Sequence, residues 1–126
     1  FGSGNKTKTS SGFLLLNESG IDIGPDLSSM FGVIDGGFDT LKECIDREDF
    51  PEQKLRDIPI VLVPPRPMFV FGKETTAFTD LSKIYIRQDY FYMYNLRHEW
   101  VHNYLWLTER RFFGDLFHRD SLFKKC

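Results

Sequence analysis

Apolar and polar positions along the chain follow two periods, one of strands and one of helices. Phe13 to Leu16 is an unbroken apolar run, long enough for one buried strand. Ahead of it, residues 2–12 are all Gly, Ser, Thr, Asn and Lys. That composition predicts a flexible linker, a tether or the remnant of a tag over residues 1–12. Asn17 to Pro25 carries Gly20, Gly24 and Pro25 and reads as loop, and Asp35-Gly36-Gly37 reads as a second break. From Phe38 to Glu48 the apolar positions Phe38, Leu41, Cys44 and Ile45 predict a short amphipathic helix. Asp39 is its expected cap or first-turn acid, and Pro51 lies just past its end.

Ile58 to Val63 is rich in β-branched residues and predicts a strand. Pro64, Pro65 and Pro67 stop it, and Met68 to Phe71 resumes an extended run that ends at Gly72. Lys83 to Arg87 alternates, with Ile84 and Ile86 on one face and Tyr85 on the other. Between Tyr90 and Leu107 there is no Gly or Pro. There Met93, Leu96, Trp100, Tyr104 and Leu107 recur at helical spacing, which predicts one long buried helix. After the Gly114 loop, Leu122 and Phe123 are the expected anchors of a short tail. The order predicts a single α+β domain over residues 13–126, with a small mixed sheet packed on the long helix and a second, short helix.

Composition narrows the class of function. The chain has 126 residues, 41% hydrophobic and 27% charged, which excludes a disordered or collagen-like chain. The longest apolar or aromatic run, Tyr90 to Tyr94, falls far short of the ~20 residues of a membrane span. The net charge of −2 offers no general field for nucleic acid. Arg110, Arg111, Arg119, Lys124 and Lys125 make the tail basic without any nucleic-acid reader motif, so no nucleic-acid partner is expected. Aromatic residues reach 16%, an efficient way to build the core of a short chain.

The long helix carries His98-Glu99-Trp100-Val101-His102, an H-E-x-x-H spacing. Residues four apart share a helix face, so both imidazoles can reach one metal ion. Glu99, turned by about 100°, can reach a water in the open position of that ion. A catalytic zinc site needs a third protein ligand. Leu105 and Thr108 occupy the positions of the metzincin Gly and third His, which excludes that class. Glu109, Asp115, His118 and Asp120 are in reach. His118, the remaining histidine and just past the Gly114-Asp115 turn, is the preferred ligand, with Glu109 as runner-up. Cys44 and Cys126 are either two inert thiols or one disulfide that holds down the end of the chain.

The segments Leu96-Arg97-His98-Glu99-Trp100-Val101-His102-Asn103-Tyr104-Leu105, Gly114-Asp115-Leu116-Phe117-His118 and Leu122-Phe123-Lys124-Lys125-Cys126 resemble a group of small zincin-like bacterial proteins. These are usually exported or lipid-anchored. In them an Arg-His-Glu-x-x-His helix is followed by a Gly-Asp loop, a third His and a Phe-x-x-Cys ending. Ile60 to Arg87 resembles their upstream part more loosely, and the resemblance covers about half the chain. The loop between the second and third His departs from the group in its Arg110, Arg111, Phe112 and Phe113.

The resemblance implies a minimal zincin-like fold with His98, His102 and His118 as ligands of Zn2+ and Glu99 as catalytic base. It implies that Cys126 is bonded to an upstream cysteine, for which Cys44 is available. It further implies an edge strand at Ile84 to Arg87 that lines a cleft and pairs with an extended peptide. The expected function is hydrolysis of peptide bonds in a peptide or protein substrate by zinc-activated water. The alternative is an inactive zinc-binding domain that serves as a cell-envelope interaction module. A monomer outside the cytoplasm is expected, with a lipid or linker tether at its N-terminus. Tyr104, Tyr94 and Arg97 are candidate oxyanion partners, and Asp115 and Asp120 are candidate supports for a ligand imidazole.

Overall fold

Ile60, Val61 and Leu62 are buried without alternation, the pattern of a strand covered on both faces. They form β3 (Ile60–Val63), the middle of a five-stranded mixed sheet in the computed structural model, which describes residues 6–126. The other strands are β1 (Lys6–Lys8), β2 (Leu14–Asn17), β6 (Ala77–Thr79) and β7 (Ile84–Arg87), in the order β1-β2-β3-β7-β6. Strands β2, β3 and β7 are parallel, with Leu15 opposite Ile60 and Ile60 opposite Ile84. Both outer strands run antiparallel to their neighbours. A separate hairpin joins β4 (Met68–Val70) to β5 (Lys73–Thr75) across Phe71-Gly72. The fold is α+β, as expected.

The crossover from β2 to β3 contains α1 (Leu27–Ile45) and α2 (Glu52–Arg56). Helix α3 (Met93–Glu109) follows β7 and packs on α1, β6 and β7, and the chain ends in the single turn α4 (Leu122–Lys125). The core centres on Phe13, Phe38 and Trp100, whose ring centroids lie 4.9–5.4 Å apart. Arg56 stacks over Phe13 and Phe38 and donates to Glu52 and to the Ser11 carbonyl. Cys44, in the last turn of α1, is disulfide-bonded to Cys126. Closing a loop of 82 positions destabilises the unfolded chain by about 4.5 kcal/mol in the chain-entropy model.

Several expectations need correction. Residues 6–12 do not form a free linker. Lys6–Lys8 pairs with β2, Thr9 is buried and accepts from the Phe13 amide, and Ser11 donates to Asp35. Pairing through the backbone needs no apolar side chain, so composition hid this strand. Residues 1–5 of that expectation lie outside the described residues. Helix α1 starts eleven residues before Phe38 and runs through Asp35-Gly36-Gly37, so Asp39 is interior rather than a cap. A Cβ on Gly36 would meet Met93 at 2.8 Å, and one on Gly37 would meet Met93 and Trp100 at about 3.6 Å. The two glycines let α1 lie close against α3. Burying Ile34, Phe38 and Leu41 there outweighs about 1 kcal/mol of lost helix propensity per glycine. Strand β7 lies between β3 and β6, so the edge next to α3 is β6, a three-residue strand that sequence periodicity did not reveal.

Candidate metal centre

Helix α3 brings His98 and His102 to one face, one turn apart. The chain leaves α3 at Arg110, which has a left-handed backbone, passes a 3-10 turn at Phe112–Gly114, and doubles back. His118 thereby meets both helix histidines. Its Nε2 lies 2.9 Å from Nε2 of His98 and 3.1 Å from Nε2 of His102, and the three ligand atoms all fall within 4.8 Å of one another. Two ligand nitrogens on one tetrahedral zinc stand about 3.3 Å apart, given zinc–nitrogen bonds of about 2.0 Å. The cluster has the size of a metal site.

The return loop is built for this contact. Phe113, Asp115 and His118 all take positive φ, from 46° to 66°, a conformation costing roughly 1–2 kcal/mol each for non-glycine residues. The Asp115 carboxylate offsets part of that by accepting from the Asp120 amide at 2.7 Å, and Arg111 bridges Glu109 and Asp120. Gly114 lies against the helix backbone, and its carbonyl is 2.8 Å from Nδ1 of His102. A carbonyl can only accept, so Nδ1 carries the proton and Nε2 presents its lone pair to the cluster.

Electrostatics favour the neutral imidazole at His98 and His102. Burial, together with the neighbouring His102 and His118, lowers the His98 pKa from 6.5 to about 4. Burial also lowers that of His102, against the opposing pull of the Gly114 carbonyl and Asp115. Neutral rings are the form that binds a metal. Glu99 is only 5% exposed, and burial raises its carboxyl from 4.5 to about 8.

The remaining candidates separate cleanly. Glu109 pairs with Arg111 and is not part of the three-histidine cluster. Asp115 and Asp120 bind loop backbone and Arg111 rather than an imidazole nitrogen. Tyr104 is buried and stacks on Phe50 at 5.9 Å, which makes it a core residue. Tyr94 is exposed with its ring 6.1 Å from that of His98, at the rim of the cluster. Arg97 keeps a buried Nε without a partner among the described residues. Sequence reasoning missed two contributors, the Gly114 carbonyl and the Phe123 ring. The Gly-Asp dipeptide between the second and third histidines was the available signal for the first. No family model, no curated protein and no solved structure matches this chain.

Proposed function

We propose that the protein is a zinc-dependent peptidase of minimal zincin-like design, with His98, His102 and His118 as ligands and Glu99 as general base. The observation that carries this reading is the convergence of three imidazoles on one point, two of them on a helix that also carries Glu99. Nε2 of His118 lies 2.9 Å from that of His98 and 3.1 Å from that of His102, close to the nitrogen spacing that a shared metal ion imposes. Three neutral ligands suit zinc and leave its full charge to act on what binds next. When bound, zinc supplies an acidified water and a polarised carbonyl. In this reading Glu99 would be the residue that accepts a proton from the attacking water and passes it to the leaving amine. Positive charge held by His98 and His102, which flank Glu99 on the helix, would act against the effect of burial and favour the ionised form that a base requires. The short edge strand β6, which touches α3 through the hydrogen bond between Thr79 and Asn103, is the place for an extended peptide to pair.

The disulfide fits a protein that works outside the cytoplasm. No helix among the described residues is long and apolar enough to cross a membrane. The burial of Glu99 favours a second reading, an inactive zinc-binding module, because a base must meet water. Elemental analysis and a peptide-cleavage assay separate the two. Stoichiometric zinc lost in His98→Ala, with cleavage abolished in Glu99→Gln, supports the peptidase. Zinc without any cleavage of a diverse peptide library selects the module, and absence of zinc refutes both.

A further inference from the structure

Metal-binding histidines are ordinarily held by a hydrogen bond from the ring nitrogen that faces away from the metal. Here His102 has such a bond, to the Gly114 carbonyl. His98 and His118 do not: among the described residues, their rings make hydrogen-bond contacts only through Nε2, within the cluster. The torsion that turns an imidazole about its own bond is soft and broad, so two of the three rings need another restraint.

Phe123 supplies one. Its ring centroid lies 5.1 Å from that of His98, 4.7 Å from His102 and 4.8 Å from His118. The three imidazole centroids are themselves 4.7–5.0 Å apart. Four rings therefore occupy the corners of a nearly regular tetrahedron, and the phenyl ring meets every imidazole at once. Helix α4, which carries Phe123, has four residues, too few to be stable alone. It is fixed at one end by the Asp120 carboxylate, which accepts from the Leu122 amide at 2.9 Å. At the other end Cys126, three residues past Phe123, is bonded to Cys44 of α1.

We propose that Phe123 is a positioning residue for the imidazole triad, and that the Cys44–Cys126 bond acts on the metal site through it. This rests on the reading of the triad as a zinc site. The bond is then more than a stabiliser of the fold, because it holds the ring that sets the orientation of His98 and His118. Metal affinity depends on whether the last turn of the chain is tied down.

Zinc affinity is measured by competition with a chromophoric chelator, and site geometry by the visible spectrum of the cobalt-substituted protein. Phe123→Ala should weaken zinc binding by about ten- to hundred-fold, the range for lost support of a metal ligand. Phe123→Leu, which keeps most of the contact, should restore most of the affinity and the cobalt spectrum. The Cys44→Ala/Cys126→Ala pair should weaken zinc in the same direction. Added to Phe123→Ala, the pair should cost no more than about two-fold further, since coupled changes are not additive. An unchanged or tightened affinity in Phe123→Ala and Phe123→Leu would overturn the role of the ring. Fully additive losses would overturn the route from the disulfide through Phe123. A wild-type protein that binds no zinc would instead remove the metal reading itself.

Discussion

Gly114→Ala is the substitution that most directly probes how the return loop is seated on α3. At φ +64° a Cβ on residue 114 would stand 2.1 Å from the His102 carbonyl oxygen and 2.6 Å from its carbon. Ordinary contact begins at 3.4 Å, so the loop must lift by about 1.3 Å or the helix must yield. Those are backbone atoms of a buried turn, so the loop moves. The 2.8 Å hydrogen bond from His102 Nδ1 is then lost, at about 1 kcal/mol. The left-handed conformation costs alanine about another 1 kcal/mol, and the displaced packing about 1–3 kcal/mol. The total, roughly 3–5 kcal/mol, is a large share of the stability of a domain this size. Gly72→Ala is the matched control, with φ +76° and nothing within 4 Å, so it carries the conformational cost alone. Urea unfolding and zinc competition should show Gly114→Ala strongly destabilised and at least about ten-fold weaker for zinc. Gly72→Ala should lose about 1 kcal/mol and keep its zinc affinity. Equal behaviour of the two variants in both assays would refute the close seating of the loop.

The metal-free protein should have an optimum of stability near neutral pH, set by opposing groups. His98 and His102 have depressed pKa values, so the stability they carry is present above 6.5 and declines as pH falls below it, toward about 4 for His98. Glu99 is raised from 4.5 to about 8, so stability falls as pH climbs through that range. Glu99→Gln should abolish the alkaline decline, worth about 2 kcal/mol between pH 6.5 and the raised pKa near 8, in unfolding free energies taken at pH 6.5 and 9. An alkaline limb that persists in the variant would assign it to another group. Trp100→Ala should cost about 3–5 kcal/mol by thermal or urea unfolding, because it empties a fully buried site shared with Phe13 and Phe38. A loss under about 1 kcal/mol would show that the aromatic centre repacks freely.

What the sequence displayed was what depends on neighbours along the chain. The helix over residues 93–109 was legible from its apolar period and the absence of Gly and Pro. The two histidines it aligns were legible with it. Strands β3 and β7 were legible from β-branched runs. What escaped depends on partners far away in sequence. Gly36 and Gly37 read as a break because helix propensity is local, whereas Met93 and Trp100, which make those glycines useful, are more than fifty positions downstream. Strand β1 escaped because an edge strand can be polar on both faces. The place of β7 inside the sheet depended on β6, too short to announce itself. The approach of His118 to His98 and His102 was anticipated from a turn and a residue count, yet the strained backbone that achieves it left no mark in composition. The Phe123 contact with all three imidazoles was likewise invisible, since an apolar tail residue reads as an anchor wherever it lands.

The bond between Cys44 and the last residue also changes what a protease could do to this molecule. It makes a covalent ring of residues 44–126, which includes β3 to β7, α3, Glu99 and all three histidines. A single cut anywhere in that ring opens it without releasing a piece. The exposed hairpin tip at Phe71-Gly72 is the obvious place for such a cut. The two segments it creates would remain one molecule, held together at an effective concentration of about millimolar or above. The nicked chain would keep its full set of site residues, so cleavage at the hairpin and loss of the site are separate events.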